Sequence, residues 1–263
     1  MEAGLLRDVL TLILGLVSGI LSGVFGVGGA IVTTPGVRLL GASAFLAVGT
    51  TLPPIVLSAV SGSARYVKEG LVDGRVLLAT APAGVVAVVA GSFASHVVPG
   101  EGHWLMVFTA VLLVVSSVRM ARSPGPGSAE EVRAAAAPRR NSTVIGMAVG
   151  AGAGLLSGLL GIGGGALLVP AYSQVMGLPL KTSIATSLAC VGILAVPGTV
   201  VHAVLGDVDW RLALLLTVAV LPGARIGAVL AIRAEKGRLR VAVAVLLGAI
   251  GLAYGVGELV VLL

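Results

Sequence analysis

Charged residues are scarce in this chain: Asp, Glu, Lys and Arg together make up 11% of its 263 residues. In soluble proteins about a quarter of the residues carry a charge. Hydrophobic residues make up 57% of the chain, so its composition excludes a soluble protein and indicates one that is embedded in a bilayer. The length leaves room for about eight to ten spans of roughly 20 residues, and we expect no separate soluble domain.

Cysteine and the common catalytic motifs are also missing. Cys190 is the single cysteine, so no intrachain disulfide can form, and its usual role is that of a small residue in a helix core. The sequence contains no Gly-x-Gly-Asp, Gly-x-Ser-x-Gly, His-Glu-x-x-His or Walker A motif, which are typical of membrane proteases, hydrolases and ATPases. We therefore predict no enzyme, no catalytic residue, no metal site and no cofactor.

Acidic side chains are absent from the middle of the long apolar runs. This pattern argues against a carrier that binds cations through carboxylates within the membrane. The net charge of +6 comes from basic residues in the short loops between the runs. We attribute it to membrane topology and predict no nucleic-acid partner.

A glycine-rich block occurs twice, 135 residues apart. Residues 22–30 read Ser-Gly-Val-Phe-Gly-Val-Gly-Gly-Ala, and residues 157–165 read Ser-Gly-Leu-Leu-Gly-Ile-Gly-Gly-Gly. Pro35 and Pro170 follow the two blocks at the same distance, so the chain is internally duplicated. Glycine is unfavourable within a helix and tolerates turn conformations. Each block therefore predicts a break between two helices.

The lengths of the uncharged runs predict the shape of these breaks. The run 141–180 has 40 residues, too many for one helix across about 30 Å at 1.5 Å per residue. The run 9–37 has 29 residues, too few for two full crossings but enough for two half-length helices. We therefore predict re-entrant hairpins at 9–40 and 143–178.

The basic residues support this topology. If both hairpins enter and leave on one side and the amino terminus is outside, 14 of the 17 Lys and Arg residues face the cytoplasm, as the positive-inside rule requires. Only Arg7, Arg38 and Arg211 remain outside. Two complete crossings in place of a re-entrant hairpin would distribute the charges in the same way.

Each half then contains one hairpin and three crossings, an odd number, so the second half is inserted upside down relative to the first. We predict an all-α polytopic membrane protein of two inverted repeats, 1–120 and 142–263. Residues 121–141 begin with Ala-Arg-Ser-Pro-Gly-Pro-Gly and are rich in alanine and arginine. This composition predicts a cytoplasmic linker between the two repeats.

The glycine blocks are candidates for a binding site. A helix that starts in the middle of a membrane presents unpaired N–H groups and the positive end of its dipole, which attract an anion. Glycine lets an oxyanion approach those N–H groups closely; the alternative role is close helix packing. The candidate glycines are Gly26, Gly28, Gly29, Gly161, Gly163, Gly164 and Gly165.

Hydroxyl side chains recur at matching positions of the two halves. They line a polar path, or they bond to the backbone of their own helices. The candidates are Ser22 and Ser157 on the hairpins, and Thr50, Thr51, Thr186 and Ser187 in the helices that follow. His202, which aligns with Tyr66, is a candidate carrier of a coupling proton because imidazole titrates near neutral pH; its alternative role is in a helix interface.

The repeated hairpins, the Ala-Thr-Ser-Leu block at 185–188 and the Gly-Asp-Val-Asp-Trp turn at 206–210 together resemble the sulfite exporter TauE/SafE family. The resemblance runs from about Thr11 to Gly257. It implies a multi-pass carrier of sulfite, organosulfonates or other small anions in the inner (cytoplasmic) membrane. The expected function is a secondary transporter that exports a small oxyanion, with a proton as the candidate coupling ion; a passive anion channel is the alternative.

Overall fold

A computed structural model of the chain describes residues 2–95, 142–161 and 163–262, with short helical pieces between 110 and 122. Its helices are α1 Glu2–Phe25, α2 Ala30–Leu39, α3 Ala44–Lys68, α4 Gly74–Ala94, α5 Ser142–Leu160, α6 Gly165–Pro170, α7 Leu180–Leu205, α8 Trp210–Arg233 and α9 Lys236–Leu262. A π-helical turn, Ala171–Val175, extends α6. The predicted linker lies outside the described residues except for its first two positions.

Seven of the described helices are long and apolar enough to cross a membrane: α1, α3, α4, α5, α7, α8 and α9. The other two are shorter, because α2 has 10 residues and α6 has six. At 1.5 Å per residue α2 is about 15 Å long, half the thickness of the hydrocarbon core. The all-α, polytopic class predicted from the sequence is confirmed.

Both glycine blocks break the helices where the sequence predicts. Between α1 and α2 the chain turns through Gly26 to Gly29, and the turn between α5 and α6 includes Gly161, Gly163 and Gly164. Gly29 precedes α2 with a φ of 77°, and Gly164 precedes α6 with a φ of 66°. Residues with a Cβ adopt this left-handed conformation at a cost of about 1–2 kcal/mol, so glycine is the favoured residue at these two helix starts.

The arms of each hairpin are unequal, which corrects the prediction of two half-length helices in 9–37. Helix α1 has 24 residues and is about 36 Å long, enough to cross the membrane completely. It begins at Glu2, seven residues before the uncharged run, so the run length underestimates it. Only the second arm, α2, is half-length.

The two halves interlock through small residues. A Cβ on Gly19 of α1 would lie 2.5 Å from Val220 O of α8, and a Cβ on Gly154 of α5 would overlap Gly84 O of α4. Such glycine stripes bring helix backbones close together in membranes. The glycines recur every four residues, at Gly15, Gly19 and Gly23 in α1 and at Gly150, Gly154 and Gly158 in α5. A hairpin arm of each half therefore packs on a helix of the other half.

We call residues equivalent when they lie 135 apart within the hairpins and 136 apart after them. Two equivalent hydrogen bonds, which we name the latches, join the halves. Asp209 N donates to Thr50 Oγ1, and Asp73 N donates to Thr186 Oγ1, each over 2.9 Å. The carboxylates of Asp73 and Asp209 also cap the starts of α4 and α8. Each latch ties the loop before a helix of one half to a helix of the other.

Polar contacts sort the charged residues into two ends of the molecule. Arg211 pairs with Asp8 over 2.7 Å, so the start of α8 lies beside the start of α1. At the opposite end Lys181 Nζ donates to Ile232 O over 2.5 Å, which places the start of α7 beside the end of α8.

Candidate functional site

The two glycine breaks come together in the interior, against the same pair of side chains. A Cβ on Gly28 would lie 2.5 Å from Val191 Cγ1 and 3.4 Å from Ile55 Cγ2. A Cβ on Gly163 would lie 3.3 Å from Val191 Cγ1 and 3.4 Å from Ile55 Cδ1. Ile55 and Val191 are equivalent residues of α3 and α7, and both are buried. Each break therefore contacts one aliphatic side chain from its own half and one from the other half.

The breaks also touch each other directly. A Cβ on Gly165 would lie 2.6 Å from Val27 Cα, so the first residue of α6 packs against the backbone of the first break. The equivalent position at the start of α2 is Ala30, which is fully buried. Helices α2 and α6, the short second arms of the two hairpins, thus both start at one point in the interior, where the two breaks are in contact.

The first glycine of each break rests on a long helix of the other half. A Cβ on Gly26 would overlap the backbone of Ile184 in α7, and a Cβ on Gly161 would lie 2.9 Å from Val48 Cα in α3. Ser187 Oγ donates to Gly26 O over 2.8 Å. Ser187, one of the predicted hydroxyls, therefore fixes the first break.

Backbone amides at the starts of the half-length helices remain unpaired. Gly29 O accepts hydrogen bonds from Val32 N and Thr33 N, as the first turn of a helix requires. No described residue accepts a hydrogen bond from the amide of Ala30, Ile31 or Gly165. These amides lie next to the contact between the two breaks.

Ser22 and Ser157 differ in their hydrogen bonding. Ser22 Oγ lies 3.4 Å from Ser58 Oγ. Ser157 Oγ is buried and has no hydrogen-bond partner among the described residues. Leu194, an apolar residue, stands at the position equivalent to Ser58. Ser157 is therefore a buried donor near the second break with unused hydrogen-bonding capacity.

Comparison with known proteins identifies the family of this chain. Residues 11–254 match the family described as sulfite exporter TauE/SafE. The chain belongs to this family. The matched range covers most of the chain, as the duplicated motifs predict, and membership makes the protein a multi-pass membrane transporter.

Several curated relatives of this TauE/SafE member cover most of its length. The probable membrane transporter protein YunE of Bacillus subtilis is 28% identical over 84% of this chain and 87% of its own. A probable membrane transporter protein of Xylella fastidiosa is 26% identical over 82% of this chain and 81% of its own. One from Methanocaldococcus jannaschii is 22% identical over 92% and 93%. No solved structure matches the chain significantly.

Three predicted threonine sites of the transporter make hydrogen bonds within the protein. Thr50 and Thr186 form the latches described above. Thr51 Oγ1 donates to Val48 O over 3.0 Å and lies 3.1 Å from Thr34 Oγ1 of α2. In this conformation all three hydroxyls are used within the protein.

His202, the predicted proton carrier, is fully buried near the end of α7. Its Nδ1 lies 2.9 Å from Asp207 Oδ2, and its Nε2 lies 3.4 Å from Gly158 O of α5. It is thus placed in a helix interface beside the last turn of α5, and paired with a carboxylate. The described residues contain no group of three His, Cys, Asp or Glu side chains that could hold a metal ion.

Sequence reasoning missed four residues that the TauE/SafE fold places at these sites. Ile55 and Val191 align with each other in the repeat, but aliphatic residues are so common in membrane helices that they carry no signal. Val27 lies inside the glycine block, where only the repeated glycines form a recognisable pattern. Asp207 could have been found from the sequence. It lies five residues after His202, and the equivalent residue of the other half, Leu71, lies five residues after Tyr66 but is apolar.

Proposed function

We propose that this transporter is a secondary carrier that exports a small oxyanion, such as sulfite or a short organosulfonate, from the cytoplasm. The proposal rests on one observation. Helices α2 and α6 start at the same point, and no described residue accepts a hydrogen bond from the amides of Ala30, Ile31 and Gly165 there. Helix starts with free N–H groups attract anions. Broken helices that meet inside the membrane form substrate sites in other transporters.

The surroundings of that point favour a singly or doubly charged anion over a cation. The described parts of the breaks carry no acidic side chain, and the unused hydroxyl of Ser157 offers a further donor. Ile55 and Val191 keep the point apolar. In such surroundings the attraction between an anion and the N–H groups is stronger than it is in water.

We also propose that the halves are inserted in opposite orientations, with the amino terminus outside. The equivalent latches and the sorting of Asp8 with Arg211, and of Lys181 with the end of α8, support this orientation. Basic residues are retained on the cytoplasmic side.

Cysteine-accessibility labelling tests this orientation in a Cys190→Ala background. Cysteines introduced at Arg38 and Asp207 are expected to react with an impermeant reagent from outside intact cells. Cysteines at Lys181 and Lys236 are expected to react only after permeabilisation. Labelling of Arg38→Cys and Lys181→Cys from the same side would contradict the proposed orientation.

Uptake by proteoliposomes tests the transport proposal directly. The purified protein is reconstituted, and sulfite, thiosulfate, sulfate and short sulfonates are offered with and without a proton gradient. Saturable flux of at least one of these anions is expected. Ohmic current without counter-flow would instead identify a passive channel, and the absence of flux for every anion would contradict the proposal.

The same assay tests the role of Ser157. Ser157→Ala removes a donor to the anion and is expected to raise the KM by about 10- to 150-fold, since a hydrogen bond to a charged group contributes about 1.5–3 kcal/mol. Ser92→Ala is the matched control, because Ser92 Oγ is also buried and has no partner among the described residues, but lies on α4. An equal change of KM in both variants would remove Ser157 from the site.

A further inference from the structure

A side chain of α1 holds the first break in place. Ser18 Oγ donates to Gly29 O over 2.9 Å, and both residues are buried. Gly29 O also accepts the two backbone amides that start α2, so the serine binds the carbonyl at which this helix begins. The residue equivalent to Ser18 in the second half is Ala153, which has no hydroxyl. The start of α2 is therefore tied to α1 by a bond that the start of α6 does not make to α5.

The backbones around Gly29 and Gly164 are otherwise alike. A Cβ on Gly29 would lie 3.1 Å from Ser18 O, and a Cβ on Gly164 would lie 2.6 Å from Ala153 O. Both glycines have a positive φ, and both carbonyls accept the amides of the third and fourth residues that follow. At this contact the two breaks thus differ in one side chain and share the path of the chain.

A second pair of hydroxyls ties α2 to α3. Thr34 Oγ1 of α2 lies 3.1 Å from Thr51 Oγ1 of α3. The residue of α6 equivalent to Thr34 is Val169, which is buried and apolar. Ser187, the equivalent of Thr51, donates across the molecule to Gly26 O over 2.8 Å. The first break therefore receives a hydroxyl from each half.

A hydrogen bond holds the second arm at its far end, beyond α6. The hydroxyl of Tyr172, in the π-helical turn, lies 2.8 Å from Thr80 Oγ1 of α4. At the near end, no side chain of the described residues donates to Gly161 O or Gly164 O. The equivalent of the π-helical turn in the first half, residues 36–39, continues α2 as an ordinary α-helix. Since π-helical turns often occur at functional sites, this turn is a pivot for α6.

We propose that Ser18 and Ser187 are positioning residues that fix the first break as the rigid part of the anion site, and that α6 is the part that moves during transport. The inference rests on the proposed carrier function. A rigid break binds an anion without a further cost of ordering. A carrier also needs an element that opens the site to one side and then to the other, and α6 is the arm whose start has no side-chain hydrogen bond.

Hydrogen exchange tests this difference without any transport measurement. Peptides that cover residues 30–34 and 165–169 are compared in the purified protein by mass spectrometry, after correction for the intrinsic exchange rates. Each side-chain hydrogen bond slows local opening by about 2- to 12-fold. With two such bonds at the first break, residues 30–34 should exchange more slowly by about fivefold or more. A smaller difference, or the reverse one, would overturn the proposal.

Two reciprocal substitutions move the hydrogen bond between the breaks. Ser18→Ala removes it from the first break, and exchange at the start of α2 should become faster by about 2- to 12-fold. The protein should still fold, because Gly29 O keeps its two backbone donors. Ala153→Ser gives the second break the equivalent serine, and exchange at the start of α6 should become slower by the same factor. Unchanged exchange in both variants would contradict the proposal.

Matched controls lie on the same two helices. Thr11→Val removes a hydroxyl that donates to Arg7 O within α1. Ala148→Ser adds a hydroxyl to α5 at an exposed position. Neither change should alter exchange at the start of α2 or α6. A control that acts as strongly as its partner variant would show that the breaks respond to any change in these helices, and would overturn the assignment.

Flux measurements separate the two roles, with sulfite or the fastest anion of the proteoliposome panel. Ala153→Ser should lower kcat with little change in KM, because it holds the moving helix. Ser18→Ala should raise KM and keep kcat, since the anion must then order the first break itself. The reverse pattern, or equal effects on both constants, would overturn the proposal. Absence of all flux with an intact difference in exchange would contradict the carrier function but support the rigid first break.

Discussion

Gly154→Val is expected to leave little folded transporter. Helix α5 approaches α4 so closely at Gly154 that a Cβ there would overlap Gly84 O. The two backbones cannot separate locally, because Gly150 and Gly158 make equally close contacts on either side. Overpacking against side chains costs about 1–3 kcal/mol. Here the overlapped atoms belong to a backbone that cannot rotate away, so the cost exceeds that range and approaches the roughly 5–15 kcal/mol that stabilises a typical protein.

Gly152→Val on the same helix is the matched control. The nearest atom to a Cβ at Gly152 is Leu167 Cδ2, at an ordinary contact distance of 3.6 Å. The measurements are the monodisperse fraction in detergent and the melting temperature. The equivalent change in the other interface, Gly19→Val, should behave like Gly154→Val. Equal stability of the Gly152 and Gly154 variants would contradict the proposed packing.

Gly28→Ala is expected to abolish most transport in a protein that still folds. Gly28 has a φ of 87°, and a Cβ there would lie 2.5 Å from Val191 Cγ1. The added methyl group forces apart the break and α7 at the point where the half-length helices start. A displacement costing about 1.4 kcal/mol in the binding arrangement lowers its population tenfold, and proteoliposome flux should fall by at least that factor.

Two further variants separate the causes. Gly41→Ala has a similar φ of 93° with no atom within 4 Å of the new Cβ, so it measures backbone strain alone, about 1–2 kcal/mol. Gly28→Ala with Val191→Ala removes the atom that is overlapped and should recover part of the flux. Normal flux in Gly28→Ala would show that the breaks do not form the site. The same conclusion would follow if the flux of the double variant were no higher than the combined effects of its two single changes predict.

The hairpins could be predicted because glycine acts on the local backbone. The positive φ values at Gly29 and Gly164 are properties of single positions, and the excess length of the run 141–180 requires a turn. The length of α1 could not be predicted from charge, since a helix continues past Arg7 and Asp8 once they reach the surface. Which helix packs on which depends on the shape of both partners and was also beyond the sequence.

The site could be predicted only in part, for a related reason. The glycine breaks were found because both copies carry the pattern. Thr50 and Thr186 were chosen as members of a polar path, but their hydroxyls accept bonds from loop amides of the other half, and no pattern within one helix reveals such a partner. Whether the glycines bind an anion stays a prediction until flux is measured.

The interlock between the halves has a consequence for biosynthesis. Helix α1 ends at Phe25 and its packing partner α8 begins at Trp210, so the ribosome must add about 185 residues before the two can meet. At 5–20 residues per second this takes about 10–40 s. During that time the glycine stripe of α1 faces lipid or a chaperone, and the newly inserted first half waits in the membrane for the second half to complete its core.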